Sequence, residues 1–284
     1  MELETLTMQI IGLDFTSAPT KTKPLIMAVG HLEGNQLTLQ TIHRWHTFQP
    51  LEAWLADHPH CVAGFDCALG LPLRFLHNMH WATDWAQMVA HVRGMSKTDF
   101  VRVVREYSRP RAKGDRYHFR LTDKLAGAQS PMQMDYIPVG KMFYEGATRL
   151  ATFGVNLPAH RVTASPCTIV EVYPALFVRA LTGVKGGYKS ETNPTHGFNQ
   201  RADLLGQLAI GAARLYEVEI CLSATQQAQC LADHKGDTLD AVLAMIQAAW
   251  AHQQRDYNYG IPAQIPHAEG WIVDPTLLKA YTTP

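Results

Sequence analysis

The chain reads as an α/β protein: a mixed sheet flanked by helices, with a mostly helical insertion. Three observations predict this. Two apolar runs, Met8-Gln9-Ile10-Ile11-Gly12-Leu13 and Cys61-Val62-Ala63-Gly64-Phe65, each end on an aspartate, Asp14 and Asp66, and near-continuous apolar runs of this length suit strands buried on both faces. Between them, Glu33-Gly34-Asn35-Gln36 is a hairpin signal. Further on, Ala241, Ala244 and Ala248 recur at helical spacing and mark a helix face that packs closely on the sheet.

The elements follow in order. Met8 to Asp14 is the first strand, and Thr16-Ser17-Ala18-Pro19 then makes a hydroxyl-rich turn. Leu25–His31 and Leu37–His46 are two strands joined by the hairpin, and Pro50–Ala56 is a short helix. Cys61–Asp66 is the next strand; a helical crossover lets it lie parallel to the first. From Leu73 to about Val155 the patterning is mostly helical, with helices at Thr83–Val92, Asp99–Tyr107 and Pro138–Phe153 and a loop at Ser108–His118. Thr168–Val172 is a strand and Pro174–Leu181 the helix behind it. Gly183–Phe198 is polar and Gly-rich and reads as a mobile loop. Asn199–Leu215 and Asp237–His252 are helices, Glu269–Val273 an edge strand, and a short helix closes the chain.

A length of 284 residues fits one large α/β domain with insertions or two small ones. No linker, repeat or low-complexity tract divides it, so one domain over residues 1–284 is expected, with the helical insertion at about 73–155. Lys+Arg and Asp+Glu balance at 25 each, so overall charge argues for no particular partner. Locally, Arg102, Arg105, Arg109, Arg111, Lys113, Arg116 and Arg120 face only Glu106 and Asp115, a bias that attracts anions. The five cysteines form no C-x-x-C pair, which suits a reducing compartment. No signal pattern or membrane-length apolar run appears, so a cytoplasmic protein without a membrane partner is expected. The fourteen histidines show no zinc-protease spacing.

The chemistry gathers on acids. Asp14 and Asp66 end strands expected to be adjacent, Glu171 lies inside the apolar run Thr168–Val172, and Asp237 and Asp240 share one helix face. Bland readings exist for each: a strand-end aspartate forms turns or caps, Asp237 favours the helix dipole, and Glu171 pairs with an arginine such as Arg179. Acids gathered at one sheet edge repel each other by about 4 kcal/mol per pair at ~4 Å and an effective dielectric of ~20. A divalent cation removes that cost, so the pattern points to Mg²⁺ or Mn²⁺.

These motifs resemble the DUF429 family, proteins predicted to be nucleases of the ribonuclease H-like superfamily. The matching pieces are Gly12-Leu13-Asp14-Phe15-Thr16-Ser17, Phe65-Asp66-Cys67-Ala68-Leu69-Gly70-Leu71-Pro72, Glu171-Val172-Tyr173-Pro174, Asp237-Thr238-Leu239-Asp240-Ala241 and Glu269-Gly270-Trp271-Ile272, in order over nearly the whole chain. Asp66-Cys67-Ala68 stands where the family pattern has Asp-Ala-Pro. The resemblance implies a ribonuclease H-like mixed five-stranded sheet, its first three strands antiparallel, and a divalent-metal carboxylate site.

The leading expectation is metal-dependent phosphodiester hydrolysis on nucleic acid by a carboxylate two-metal mechanism. Asp14, Asp66 and Asp240 are the expected metal ligands, with Glu171 or Asp237 assisting, and Thr16, Ser17, Arg109, Arg111, Lys113 and Arg116 the expected substrate contacts. The alternatives are an actin-like ATPase or phosphotransferase, in which Thr16 and Ser17 meet phosphate oxygens, and a non-catalytic binding protein whose acids are structural.

Overall fold

In the computed structural model, which describes residues 7–183, 187–190 and 193–283, the two acid-ended runs are neighbouring parallel strands, β1 (Met8–Asp14) and β4 (Cys61–Asp66). β2 (Leu25–Glu33) and β3 (Gln36–Trp45) form the expected hairpin, with Gly34 at φ +60° in its turn, and β2 runs antiparallel to β1. β5 (Cys167–Glu171) continues the sheet parallel to β4. A short sixth strand, β6 (Glu219–Cys221), adds to the far edge parallel to β3, so the sheet has six strands in the order β5-β4-β1-β2-β3-β6. The expected count of five is corrected by β6. Its three residues carry too little apolar pattern to announce a strand; pairing with Gln36–Thr38 makes it one.

Helices flank both faces. α1 (Gln49–Asp57) makes the crossover between β3 and β4. α2 (Leu73–Asn78), α3 (Trp85–Arg93), α4 (Lys97–Ser108), α5 (Leu121–Ala126) and α6 (Val139–Leu150) fill the stretch between β4 and β5. α7 (Pro174–Thr182), α8 (Pro194–Tyr216), α9 (Ala224–Ala232), α10 (Asp237–Gln253) and α11 (Pro275–Thr282) follow.

Strand side chains alternate between faces. Ile11, Leu13, Phe65 and Ile169 therefore pack with Trp85, Phe100 and Phe143 of α3, α4 and α6. Ile10, Val62, Val170 and Val172 pack on the other face with α7, α8 and α10. α10 crosses β1 and β4 at close range because two strand glycines lie under it. A Cβ on Gly12 would meet the Ala241 carbonyl oxygen at 2.0 Å, and one on Gly64 the Ala244 oxygen at 2.6 Å.

Two further expectations are corrected. Glu269–Val273 reaches the edge beyond β5 but makes only the single bridge Glu171↔Ile272, with Gly270 at φ +68° turning the backbone away from strand geometry. The stretch Gly183–Phe198 is not loop to its end: the Asn193 side chain accepts from the His196 N–H at 3.1 Å, Pro194 occupies the first turn, and α8 begins there. Residues 184–186 and 191–192 of that stretch lie outside the described residues. No helix among the described residues is long and apolar enough to cross a membrane.

Candidate metal centre

Parity puts the aspartates together. Asp14 shares its face with Ile10 and Gly12, and Asp66 with Val62 and Gly64, so both point to the α10 side of the sheet. The parallel register sets Asp14 directly opposite Asp66. Asp240 lies in the first turn of α10, its N–H bonded to the Gly236 carbonyl at 2.9 Å, and the close approach at the two glycines brings that turn down onto the strand ends. One carboxylate oxygen from each of Asp14, Asp66 and Asp240 lies within 4.8 Å of the others.

The partners of the three differ. Asp240 is buried, accepts from the Tyr188 hydroxyl at 2.6 Å and forms an ion pair with Lys189. Asp14 and Asp66 are partly buried and make no side-chain hydrogen bond or ion pair among the described residues. Burial, reinforced by Asp240 and Glu171 and opposed by Lys189, pushes the Asp66 carboxyl up to about 8. Burial also raises Asp14 well above the ordinary carboxylate range; Lys189 works against this and Asp240, Asp237 and Asp66 add to it. For Lys189, desolvation is outweighed by Asp240, Tyr188 and Asp14, and its ammonium is held well above its usual range. The site thus already attracts one cation, and its all-oxygen donor set suits a hard divalent ion.

Asp237 is half-buried one turn before Asp240; burial, Asp233 and Asp240 raise its carboxyl, with Lys189 opposing. It adds negative field without joining the close group. Asp233 instead caps the start of α10, accepting from the Thr238 N–H at 2.9 Å and pairing with Arg44 at 3.3 Å.

Glu171 is committed elsewhere. It has the parity of Ile169, so its side chain leaves the sheet on the face opposite Asp14 and Asp66. There the guanidinium of Arg120, fully buried, meets both its oxygens at 2.6 and 2.7 Å, and the Leu69 N–H donates at 2.9 Å. Arg120 also binds Asp123 at 2.7 Å. The partner is Arg120 rather than Arg179, whose guanidinium donates to the Ala126 carbonyl. Glu269 supports the same cluster: its carboxylate accepts from the first N–H groups of α2 and α5, Leu73 at 2.8 Å and Leu121 at 3.1 Å.

Thr16 and Ser17 are buried just past Asp14 and line a cleft of about 820 Å³. Lys23, Lys97, Arg102, Arg105, Arg109 and Lys141 line it too, against the single acid Glu106. Arg102 and Arg105 are partly neutralised by Asp99, Glu106 and Asp135, and Lys97 by Glu145. Lys23, Arg109 and Lys141 form no ion pair among the described residues. Of the expected basic loop, only Arg109 reaches this cleft. Arg111 stacks on Tyr107 at 3.8 Å, Arg116 donates to the Arg111 carbonyl at 3.2 Å, and Lys113 stands exposed on the loop.

Sequence reasoning did not single out Tyr188, Lys189, Lys97 or Lys141, and it counted Arg120 only as part of a basic segment. Tyr188, Lys189, Lys97 and Arg120 act through partners remote in the chain, and Lys141 reaches the cleft from a distant helix; no local pattern marks such placements.

The family model described as protein of unknown function (DUF429) matches residues 12–265. No curated protein and no solved structure matches the chain.

Proposed function

The chain belongs to the DUF429 family, and from that premise we propose that it is a divalent-metal-dependent phosphodiesterase acting on nucleic acid, built on a ribonuclease H-like sheet. The observation that carries the reading is the group Asp14, Asp66 and Asp240 within 4.8 Å, beside a basic cleft. The order β5-β4-β1-β2-β3, with β2 antiparallel to both neighbours, supports the ribonuclease H-like assignment. The all-carboxylate donor set, two of its members without a side-chain hydrogen bond among the described residues, fits Mg²⁺ or Mn²⁺. Such ions would orient a water and neutralise charge on the phosphate.

Asp14, Asp66 and Asp240 would hold the metal. Asp237 strengthens the field behind them, while Glu171 and Arg120 stiffen the end of β5 and the turn after Asp66. Lys23, Arg109 and Lys141 would take the sugar-phosphate backbone as sequence-independent partners. Thr16 and Ser17 sit where the cleft meets Asp14 and offer hydroxyls to a phosphate.

The test is hydrolysis of single- and double-stranded DNA and RNA with Mg²⁺ or Mn²⁺, run beside Asp14→Asn. The expected result is metal-dependent cleavage that falls at least about a hundredfold in Asp14→Asn while binding persists. Cleavage equal in the two proteins, or by neither on any strand, overturns the reading.

A further inference from the structure

We propose that a second cavity, next to Asp66, receives one unstacked nucleobase of a single strand, so that the acids work on a phosphate beside a nucleotide drawn out of its stack. This rests on the nucleic-acid reading above and goes past it in assigning the cavity and the strand state.

The cavity holds about 300 Å³, at the small end of ligand sites and of the right order for a base with its sugar. Asp66 lies at its edge, and Ile137, Val139, Met142, Tyr173 and Ile272 form much of the wall. Beside the mutually paired Arg120, Asp123 and Glu171, which also line the cavity, these apolar walls with one aromatic ring suit the face of any base, since every base has a π-face. Gln129 supplies polarity: its amide is exposed at the cavity and makes no hydrogen bond among the described residues. It has a donor and an acceptor to offer a base edge.

The cavity and the basic cleft share a partition, the start of α6. Pro138 and Lys141 line the cleft, whereas Ile137, Val139 and Met142 line the cavity. A strand whose phosphates follow the cleft therefore passes the carboxylates with a base-sized hollow across the partition. The residue before Ile137 adds an independent sign. Tyr136 is fully exposed and held at φ +62°, a backbone region that costs a side-chain-bearing residue energy. Ile137 beside it is 54% exposed. A strained turn showing an aromatic and a branched aliphatic side chain to water, next to a polyanion-binding cleft, fits a wedge that bases stack on. A duplex keeps its bases paired and cannot fill the hollow without extrusion, so a single strand is the occupant.

The test is binding and cleavage of a short single-stranded oligonucleotide with Mg²⁺, compared with strands carrying one abasic position moved along the sequence. One position should weaken binding by about 5- to 150-fold when its base is removed, the range of base–aromatic stacking, while its neighbours change little. Ile137→Ala should weaken the intact strand and leave the strand abasic at that position unaffected, whereas Tyr136→Ala, outside the cavity, should weaken both strands. Gln129→Ala should change the ranking of the four bases there. All three side chains are exposed, and circular dichroism with the Mg²⁺-induced melting shift verifies the fold. Asp14-dependent cleavage with a flat abasic scan and silent variants overturns this inference and leaves the nuclease reading intact. A free nucleoside monophosphate bound as tightly as the strand overturns the polymeric occupant. Strands neither bound nor cleaved overturn both readings.

Discussion

Burial pushes the Asp66 carboxyl up to about 8, whereas an unfolded aspartate titrates near 4. Between those values the folded protein holds a proton that the unfolded chain does not, so metal-free stability falls as pH rises across that window. Metal needs the deprotonated acids, so its effect runs the other way. Melting curves should show a small Mg²⁺ increment near pH 6 and the full increment above pH 8. At about a hundredfold excess over Kd that increment is about 2.7 kcal/mol, several degrees for a chain of this size. Asp66→Asn should flatten both slopes; unchanged slopes would mean that Asp66 titrates normally. At this scale the sequence showed much. Asp14 and Asp66 were legible because each closes an apolar run, and Asp240 because alanines follow it at helical spacing. Glu171 was legible as an unusual acid but not in its task. Its parity with Ile169 rather than Val170 puts it on the opposite face, and no local signal named Arg120 as its partner.

At the scale of elements, the centre depends on how far α10 sinks into the sheet. Gly12→Ala tests this. Its new methyl would meet the Ala241 oxygen at 2.0 Å and the Met245 nitrogen at 2.2 Å, both backbone atoms that no rotamer change can move aside. Overpacking commonly costs 1–3 kcal/mol; with rigid backbone on both sides, about 3 kcal/mol or more is expected in chemical denaturation. Whatever remains folded should also lose its Mg²⁺ response, because a displaced α10 carries Asp240 away from Asp14. A variant as stable and metal-responsive as the parent would disprove the close approach. The long elements were readable because they contain enough residues for periodicity to show. The short ones were harder: α2 and α5 have six residues each, and β6 exists through its pairing with β3. α9 did carry a readable sign, the capping box Ser223 with Gln226.

For the whole molecule, balanced total charge conceals a division of labour: acids at the ends of β1 and β4, cations along α4 and the start of α6. Substrate affinity should therefore follow the cleft rather than the 109–116 loop as a unit. Arg109→Ala with Lys141→Ala should weaken nucleic-acid binding whatever the sequence. The plot of log K against log salt should flatten by about 0.7–0.9 for each phosphate that is no longer neutralised. Arg111→Ala with Lys113→Ala should change both much less, since neither side chain lines the cleft. Fluorescence anisotropy across a salt series checks both pairs, and equal effects would return the role to the loop. The sequence showed that a basic segment existed but not which of its members converge, because Lys23 and Lys141 enter from distant positions.

Because Lys189 already sits on Asp240, metal uptake at this centre would be an exchange of one cation for another. The measured dissociation constant is then the intrinsic one divided by the fraction of molecules in which the ammonium has swung clear. Lys189→Met should tighten Mg²⁺ binding in calorimetry, and an unchanged constant would mean that the ammonium does not compete. A tethered ammonium also acts as a charge filter. A sodium ion brings the same single charge without the tether and gains nothing by replacing it, whereas a divalent ion brings twice the charge to three converging carboxylates.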